Sequence, residues 1–459
     1  MSKLLTSTSA HRVFHHGKLF TIHWLLIFLA LMLTISCSTQ QPLLSTTPAS
    51  SADFKKGMDA YEKGDYKTAV KQWTPLAEQG HADAQNNLGI MYSDGQGVVR
   101  DDRIAVKWYR LAAEQGHANA QNNLGLKYFN GEGVPRDTQV AIQWVTLSAE
   151  QGHARAQFNL GLRYANGEGV PQDTQAAIRW YSLAAAQGLA EAQNSLGIIY
   201  AKAQDYKNAI KWYSLAADQG HAHAQTSMGL RYLNGQGVAK DTQAAIQWTT
   251  LAAEQGLDIA QHNLGSIYLK EQDYASAAKW YRLAAEQGFE HSQLDLSVLH
   301  ENGQGVPQNS KIAAKWVRLA AEQGNAKAQN NLGFRYANGK GVDQDYKAAV
   351  KWYRLAAEQG HADAQNNLGS MLADGQGAPQ NYKAAVKWYT LAAEQGNANA
   401  QFNLGLRYAN GQGVPQDYGP VLQWYRLAAE QGHADAQNNL GGMYADGQGV
   451  PQNLSRIPI

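Results

Sequence analysis

Tryptophan recurs at Trp73, Trp108, Trp144, Trp180, Trp212, Trp248, Trp280, Trp316, Trp352, Trp388 and Trp424, at intervals of 32, 35 or 36 residues. A period of that length marks one supersecondary unit repeated along the chain. Such a unit cannot bury its apolar side alone, so neighbours must stack. The unit His361 to Gly396, HADAQNNLGSMLADGQGAPQNYKAAVKWYTLAAEQG, shows what is repeated. In its first half Ala364, Leu368, Met371 and Leu372 follow an i, i+4, i+7, i+8 spacing, which lays one apolar stripe along a helix, here helix A. Gly369 beside that stripe predicts the close approach of a neighbour, since glycine otherwise weakens a helix. For the second helix, helix B, the pattern Ala348, Trp352, Leu355 and Ala356 predicts an apolar face in which the indole fills the space that small residues leave. Gly360 ends helix B where a left-handed residue is needed, and the next unit begins at once.

Between the helices, Asn338-Gly339-Lys340-Gly341-Val342 and its equivalents supply permissive backbone for a turn. They are not phosphate cradles: no G-x-G-x-x-G occurs, and Gly339-Lys340-Gly341 lacks the P-loop spacing. Two units, Leu189 to Gly220 and Leu257 to Gly288, have 32 residues because their inter-helix loops are four shorter. The first unit puts Trp73 one place out of register and carries Pro75 inside helix B, which reads as a cap.

The recurring motifs A-x-A-Q-x-x-L-G, Y-x-x-G-x-G-V-P and A-x-x-W-Y-x-x-A-A-E-Q-G resemble those of the Sel-1-like repeat family, relatives of tetratricopeptide repeats, over about residues 53 to 459. The resemblance implies an all-α, right-handed α-solenoid of antiparallel helix-hairpin repeats used for protein interactions. The expected organisation is a signal segment at 1–36, a flexible tether at 37–52, a capping helical unit at 53–80, ten repeats of 32 to 36 residues at 81–432, and a truncated repeat at 433–459.

The formal charge of +1 hides an asymmetry: residues 1–52 hold Lys3, Arg12 and Lys18 and no acid, leaving 39 − 3 = 36 bases against 38 acids. A balanced body argues against nucleic acid, which calls for a concentrated basic face. The basic start leads into the apolar run Leu19 to Leu33 and then Thr34-Ile35-Ser36-Cys37, the order of a secretory signal. Thr34 to Cys37 resembles the lipobox of bacterial lipoproteins, although Thr34 stands where that family usually has Leu. The resemblance implies lipidation of Cys37, the sole cysteine, with the Ser-, Thr-, Gln- and Pro-rich stretch behind it as spacer. The expected location is the envelope: membrane-anchored facing the periplasm or cell surface, otherwise periplasmic or secreted. A retained signal anchor stays open, since Leu19 to Ile35 approaches a membrane-spanning length.

No catalytic residue, cofactor or metal site is expected. His81, His117, His153, His221, His361 and His433 all occupy the first position of a unit, so roughly 10 Å of stacking separates them and they cannot converge on an ion. His221 with His223, and His291 with His300, lack any H-E-x-x-H context. Ser276-Ala277-Ala278-Lys279 is the only S-x-x-K, without the S-D-N or K-T-G that a β-lactamase-like hydrolase needs.

Binding is expected on the far side of helix A from its stripe, where a helical wheel places Asp83, Asn86, Ile90 and Ser93. The first position varies freely and includes Arg155, His223 and Lys327. The second is mostly Asn, as in Asn86, Asn122, Asn194, Asn330, Asn366 and Asn438, with Phe158, His262 and Phe402 among its replacements. The expectation is that these amides grip the backbone of an extended protein or peptide partner while the variable positions and the two Phe select side chains. A second column, Lys127, Arg163, Arg231, Arg335 and Arg407, could meet an acidic partner or snorkel over tyrosine. The function read from this is a non-enzymatic interaction scaffold in the envelope. A peptidoglycan- or glycan-binding protein is the alternative, and a hydrolase the least supported reading.

Overall fold

The computed structural model describes residues 51–449. The signal segment, Cys37, nearly all of the tether and the last ten residues lie outside it. Among the described residues there are helices and turns and no strand. None of those helices is long and apolar enough to cross a membrane.

The chain divides after Arg136 into two compact units. The first holds Ser51–Glu62, Tyr66–Glu78, Ala82–Asp94, Asp102–Glu114 and Ala118–Asn130; the second runs from Thr138–Glu150 to Ala434–Asp446. Within each, helices A and B alternate as antiparallel neighbours, the architecture of an α-solenoid. The first helix begins at Ser51, two residues ahead of the expected cap boundary.

Local chemistry explains the hairpin. The histidine opening a unit is the N-cap of helix A: His117 Nδ1 accepts the amide of Ala120 at 3.1 Å, and His361 Nδ1 that of Ala364 at 3.3 Å. An imidazole can do this only while that nitrogen is unprotonated. Asn325 and Asn397 cap in the same way through Oδ1, whereas Leu189, Leu257 and Phe289 leave their helices without a side-chain cap. Helix B is capped by the aspartate or asparagine before it, as when Asp101 accepts the amides of Arg103 and Ile104 and Asn381 that of Ala384. The two glycines of G-x-G have different tasks. Gly375 (φ 71) is the left-handed residue ending helix A, while Gly377 (φ 73) lies so close to the preceding helix B that a Cβ there would stand 2.1 Å from the Tyr346 carbonyl oxygen. In the short loops Gln204 and Gln272 take the left-handed conformation themselves.

The core follows the expected stripe on helix A: Ala364 and Leu368 are fully buried, with Met371 and Leu372 nearly so. On helix B the stripe is displaced by one residue from the expectation. Ala349, Tyr353, Ala356 and Ala357 are buried, whereas Leu355 is 37% exposed and Trp352 half-buried. The tyrosine, not the tryptophan, meets the glycine of helix A. A Cβ on Gly369 would come within 2.8 Å of the Tyr389 ring, and one on Gly333 within 2.7 Å of Tyr353. Tryptophan lies beside this contact, Trp352 packing on the cluster of Val317, Ala320, Ala321, Ala328 and Leu332. The first unit explains its own exception: Trp73 holds the tyrosine register, 1% exposed, and sits against Gly57. Pro75 is tolerated within Tyr66–Glu78.

Both recurrent glutamines prove structural. Gln365 donates from Nε2 to the Ala357 carbonyl at the end of the preceding helix B, at 3.1 Å, and its Oε1 accepts from Gln395 of its own unit at 2.7 Å. Gln85 repeats the pattern with Ala77 and Gln115. The buried glutamine of A-x-A-Q, held in place by the exposed glutamine of A-E-Q-G, thus forms a ladder that ties a hairpin to the one before it.

Candidate partner-binding face

The free surface of helix A differs from the one the wheel suggests. Asn86, Asn122, Asn194 and Asn366 are buried, between 4% and 9% exposed, and Asn330 is half-buried. The amides of Asn86, Asn330 and Asn366 serve the stack. Asn123 Nδ2 donates to Asn86 Oδ1 at 3.2 Å, Asn367 to Asn330 at 3.0 Å and Asn403 to Asn366 at 3.0 Å, each bond joining one helix A to the next. The wheel measures angles on one helix, but the following helix A covers that flank. Asn438 is exposed in the last described helix, Ala434–Asp446. The gripping role assigned to these amides is therefore replaced by an inter-repeat zipper. We expect Asn330→Ala together with Asn366→Ala to lower stability by about 1 kcal/mol per bond lost. Urea denaturation checks this, and an unchanged midpoint would sink the zipper.

The replacements in that column are built in as well. Phe158 lies 5.6 Å from the Tyr181 ring with the Arg155 guanidinium above it, and Phe402 stacks on Tyr425 and His433 at 5.4 and 4.7 Å. His262 Nδ1 meets the buried Ser292 hydroxyl at 3.0 Å and is 3.8 Å from Asp295. Both partners sit on the same ring nitrogen, so this is not the arrangement in which one imidazole nitrogen takes a serine proton while a carboxylate orients the other. Burial, with His291 beside it, lowers the His262 pKa to about 4.

That shift has a definite sign. The folded pKa lies below the ordinary value, so the contribution to stability is present above about pH 6.5 and is lost as pH falls towards about 4. His262→Asn, which restores the residue usual at this position, should remove that part of the acid sensitivity. Melting temperatures of the two chains between pH 7 and pH 4 check it, and parallel curves would refute it.

The basic column is consumed internally. Lys127 is 8% exposed and bonded to Asp102 and Glu132 at 2.6 and 2.7 Å, which holds both carboxyls below their usual range. Arg163 pairs with Glu168, and Arg335 with Glu301 at 2.8 Å. Arg231 and Arg407 lie over the rings of Tyr206 and Tyr382. Snorkelling over tyrosine is what Arg231 and Arg407 do.

Four positions of helix A reach solvent instead. In the repeat of Ala326–Asn338 they are Lys327 and Phe334, both exposed, Asn331, half-buried, and Asn338, exposed. Arg155, His223 and Lys327 are exposed, as expected of the first position, and Arg155 reaches Glu191 of the next helix A at 2.9 Å. The third position, placed on the far face through Ile90, is apolar in most repeats. Lys279 Nζ sits 5.2 Å over the Trp280 ring, and the Ser276 amide is capped by Asp273.

Helix pairs whose inner faces are spent on stacking and whose outer faces stay open define an interaction-type α-solenoid. Comparison with known proteins makes the class specific. Eleven copies of the Sel1 repeat match, at residues 82–117, 118–153, 154–189, 190–221, 222–257, 258–289, 291–325, 326–361, 362–397, 398–433 and 434–456, and the chain belongs to that family. Among solved structures it is similar to c5321, described as a protective antigen of uropathogenic Escherichia coli strains displaying an SLR fold. The two are 38% identical over 84% of each chain, with a TM-score of 0.65. It is also similar to a Sel1 repeat protein from Oxalobacter formigenes, 30% identical over 81% of this chain and 97% of that one, with a TM-score of 0.40. A search of the curated proteins finds no match. Sel1 repeat proteins are generally protein-interaction scaffolds.

Proposed function

We propose that this chain is a non-catalytic scaffold tethered to the cell envelope, which holds a protein or peptide partner against the open side of its A helices. The observation that carries the reading is the contrast within helix A. The glutamine spent on stacking recurs in every repeat from Gln85 to Gln437, while the solvent-facing first position reads Arg155, Glu191, His223, Ile259, His291, Lys327, Asp363 and Asn399. Packing leaves that row free, so its chemistry is available for selecting a partner. The N-terminal signal and Cys37 support the envelope as the place, as does the description of the similar E. coli protein as a protective antigen.

Two experiments test this. A photo-crosslinking amino acid at position 327 should trap a discrete envelope protein in cells, and one at position 355 on helix B should not. Equal trapping at both, or retention of the purified chain on isolated peptidoglycan without any protein adduct, would turn the reading towards a wall binder. Metabolic labelling with a fatty acid should mark the wild type and fail on Cys37→Ala; label that survives the substitution defeats the lipid anchor.

A further inference from the structure

The outer side of helix B carries a leucine in repeat after repeat, among them Leu147, Leu251, Leu319 and Leu355, between 37% and 47% exposed. What stands beside it changes along the second unit. The helices Thr138–Glu150 and Thr242–Glu254 contain no base, and have Gln143, Thr146, Gln247 and Thr250 on that side. The helices Ser310–Glu322 and Tyr346–Glu358 put bases at the same positions, Lys315 with Arg318 and Lys351 with Arg354, and add Lys311 and Lys347 one turn earlier. All six are exposed. The flanking helices Tyr274–Glu286 and Tyr382–Glu394 continue the patch with two bases each. Since the fold accepts glutamine and threonine here, the bases of these four successive B helices answer no packing requirement.

Their charge is not cancelled. Lys311, Lys315, Arg318 and Leu319 share one helix face by their i, i+4, i+7, i+8 spacing. With Ala314 and the loop residues Gly341 and Val342 they line an open cleft of about 470 Å³ that has no acid in its lining. Arg318 donates to the Tyr336 hydroxyl at 2.8 Å and Lys351 lies 5.6 Å over the Trp352 ring, contacts that leave both charges whole. Among the described residues none of the six bases has a carboxylate at ion-pair distance, unlike Lys127 and Arg335 on helix A. Each of the two central helices exposes one acid, Glu322 or Glu358, at its last position, so three bases stand over one carboxylate on each.

The layout narrows what such a face can meet. Bases spread over about 10 Å of each helix and recur roughly every 10 Å from one repeat to the next, which makes a grid and not a line. A single acidic segment would satisfy one row of it, whereas a surface of many anionic headgroups satisfies the whole. Leucine among Lys and Arg is also the composition of elements that lie in a bilayer interface, where the apolar side chain enters the headgroup boundary and the long basic chains reach phosphates. The anchor supplies proximity. Even fully extended, a tether of residues 37–52 is roughly 55 Å long, so the anionic body met first is the membrane that holds it.

We propose that the helix B face around Leu319 and Leu355 rests on an anionic phospholipid surface while the A helices hold the partner. This rests on the anchored-scaffold reading above and adds the surface that orients it. The test uses the purified full-length chain with Cys37→Ala and one new cysteine, Leu355→Cys or Lys327→Cys, carrying an environment-sensitive fluorophore. It is mixed with phosphatidylcholine vesicles with and without phosphatidylglycerol, so that any contribution of the N-terminal segment is common to both. The probe at 355 should shift to the blue only where phosphatidylglycerol is present, and the probe at 327 on neither vesicle. Lys315→Gln with Lys351→Gln should raise the lipid concentration needed for half the shift about tenfold, from the loss of two bases near an anionic surface. Gln143 and Gln247 already stand at that position, so this variant should keep the parental circular dichroism. Lys202→Gln with Lys240→Gln removes the same charge elsewhere and should leave the half-shift concentration unchanged; an equal loss would overturn the site. Release of the chain by soluble polyglutamate, which offers carboxylates without an apolar layer, would overturn lipid in favour of an acidic protein. If the probe at 355 stays wet on anionic vesicles while a crosslinker at 327 still traps an envelope protein, this inference falls and the scaffold stands; if the probe at 327 is the one that becomes dry, both fall.

Discussion

Gly369→Ser should destabilise the repeat stack by about 1–3 kcal/mol, the range for over-packing a filled core, and Tyr389→Val in the same chain should recover most of that loss. The Tyr389 ring occupies the space where a Cβ on Gly369 would lie, 2.8 Å away. The chain itself contains the compensated pair. In the repeat of Glu290–Asn302 and Ser310–Glu322, serine stands at the glycine position as Ser297 and valine at the tyrosine position as Val317, and both are buried, 1% and 0% exposed. Tyr389→Val alone should cost stability by leaving a cavity over Gly369, so a thermodynamic cycle over the four chains should give a favourable coupling. Simple additivity of the two single effects would show that the contact is looser than the geometry requires. Hydrogen exchange is the suitable readout, because a long array of repeats need not unfold as one cooperative unit.

That same pair shows what could and could not be read from the sequence. Helix A was legible because Ala364, Leu368, Met371 and Leu372 are all apolar and fit a single stripe. Helix B was ambiguous: Trp and Tyr are adjacent and both aromatic, and choosing the larger ring shifted the stripe by one residue. In the one repeat where a serine, Ser297, replaces the glycine, the tyrosine position holds the smaller Val317, while Val145 and Thr249 stand at that position over the retained Gly125 and Gly229. The hairpins, their loops and their caps follow from glycine, proline, aspartate and asparagine at fixed places, and the histidine that opens a unit belongs with them as a cap rather than a ligand.

The binding face was harder to read for a physical reason. A wheel drawn for one helix has an inside and an outside, but a helix in a stack has two further flanks, each covered by a neighbour. Asn86 and Asn366 are polar and lie away from their own stripe, which made them look solvated. Their amides are in fact paired across the stack. The informative contrast lies between a polar position that repeats in every unit, the glutamine column of Gln85 and Gln365, and positions that vary, such as Arg155, His223 and Lys327. Polarity that repeats in every unit reports a buried hydrogen bond; polarity that varies reports water.

The buried amide ladder makes the largest and most diagnostic prediction. Gln365 is 3% exposed and is a donor to the Ala357 carbonyl and an acceptor from Gln395 at once. Gln365→Glu keeps the shape and exchanges the donor for a second acceptor. At pH 7 the carboxylate would face the Ala357 carbonyl oxygen with no proton between them, and a buried charge without a partner costs about 3–5 kcal/mol. Protonated, the same side chain can donate again. Burial and the facing carbonyl would thus raise the folded pKa of Glu at position 365 above its unfolded value of about 4.3. A raised folded pKa means that the stability of the variant is fully present below about pH 4.3 and is lost as pH rises through the folded value. The difference between wild type and variant should therefore be large at pH 7 and shrink towards pH 4, measured by amide exchange over residues 362–374, which avoids confusion with titration of histidines elsewhere in the array. Gln365→Leu, which lacks both functions, should cost a smaller and pH-independent 1–3 kcal/mol, about the price of one unsatisfied buried carbonyl. A gap between wild type and the Glu variant that stays constant with pH would mean that no donor from position 365 reaches Ala357, and the ladder would lose the bond on which its inter-repeat role depends.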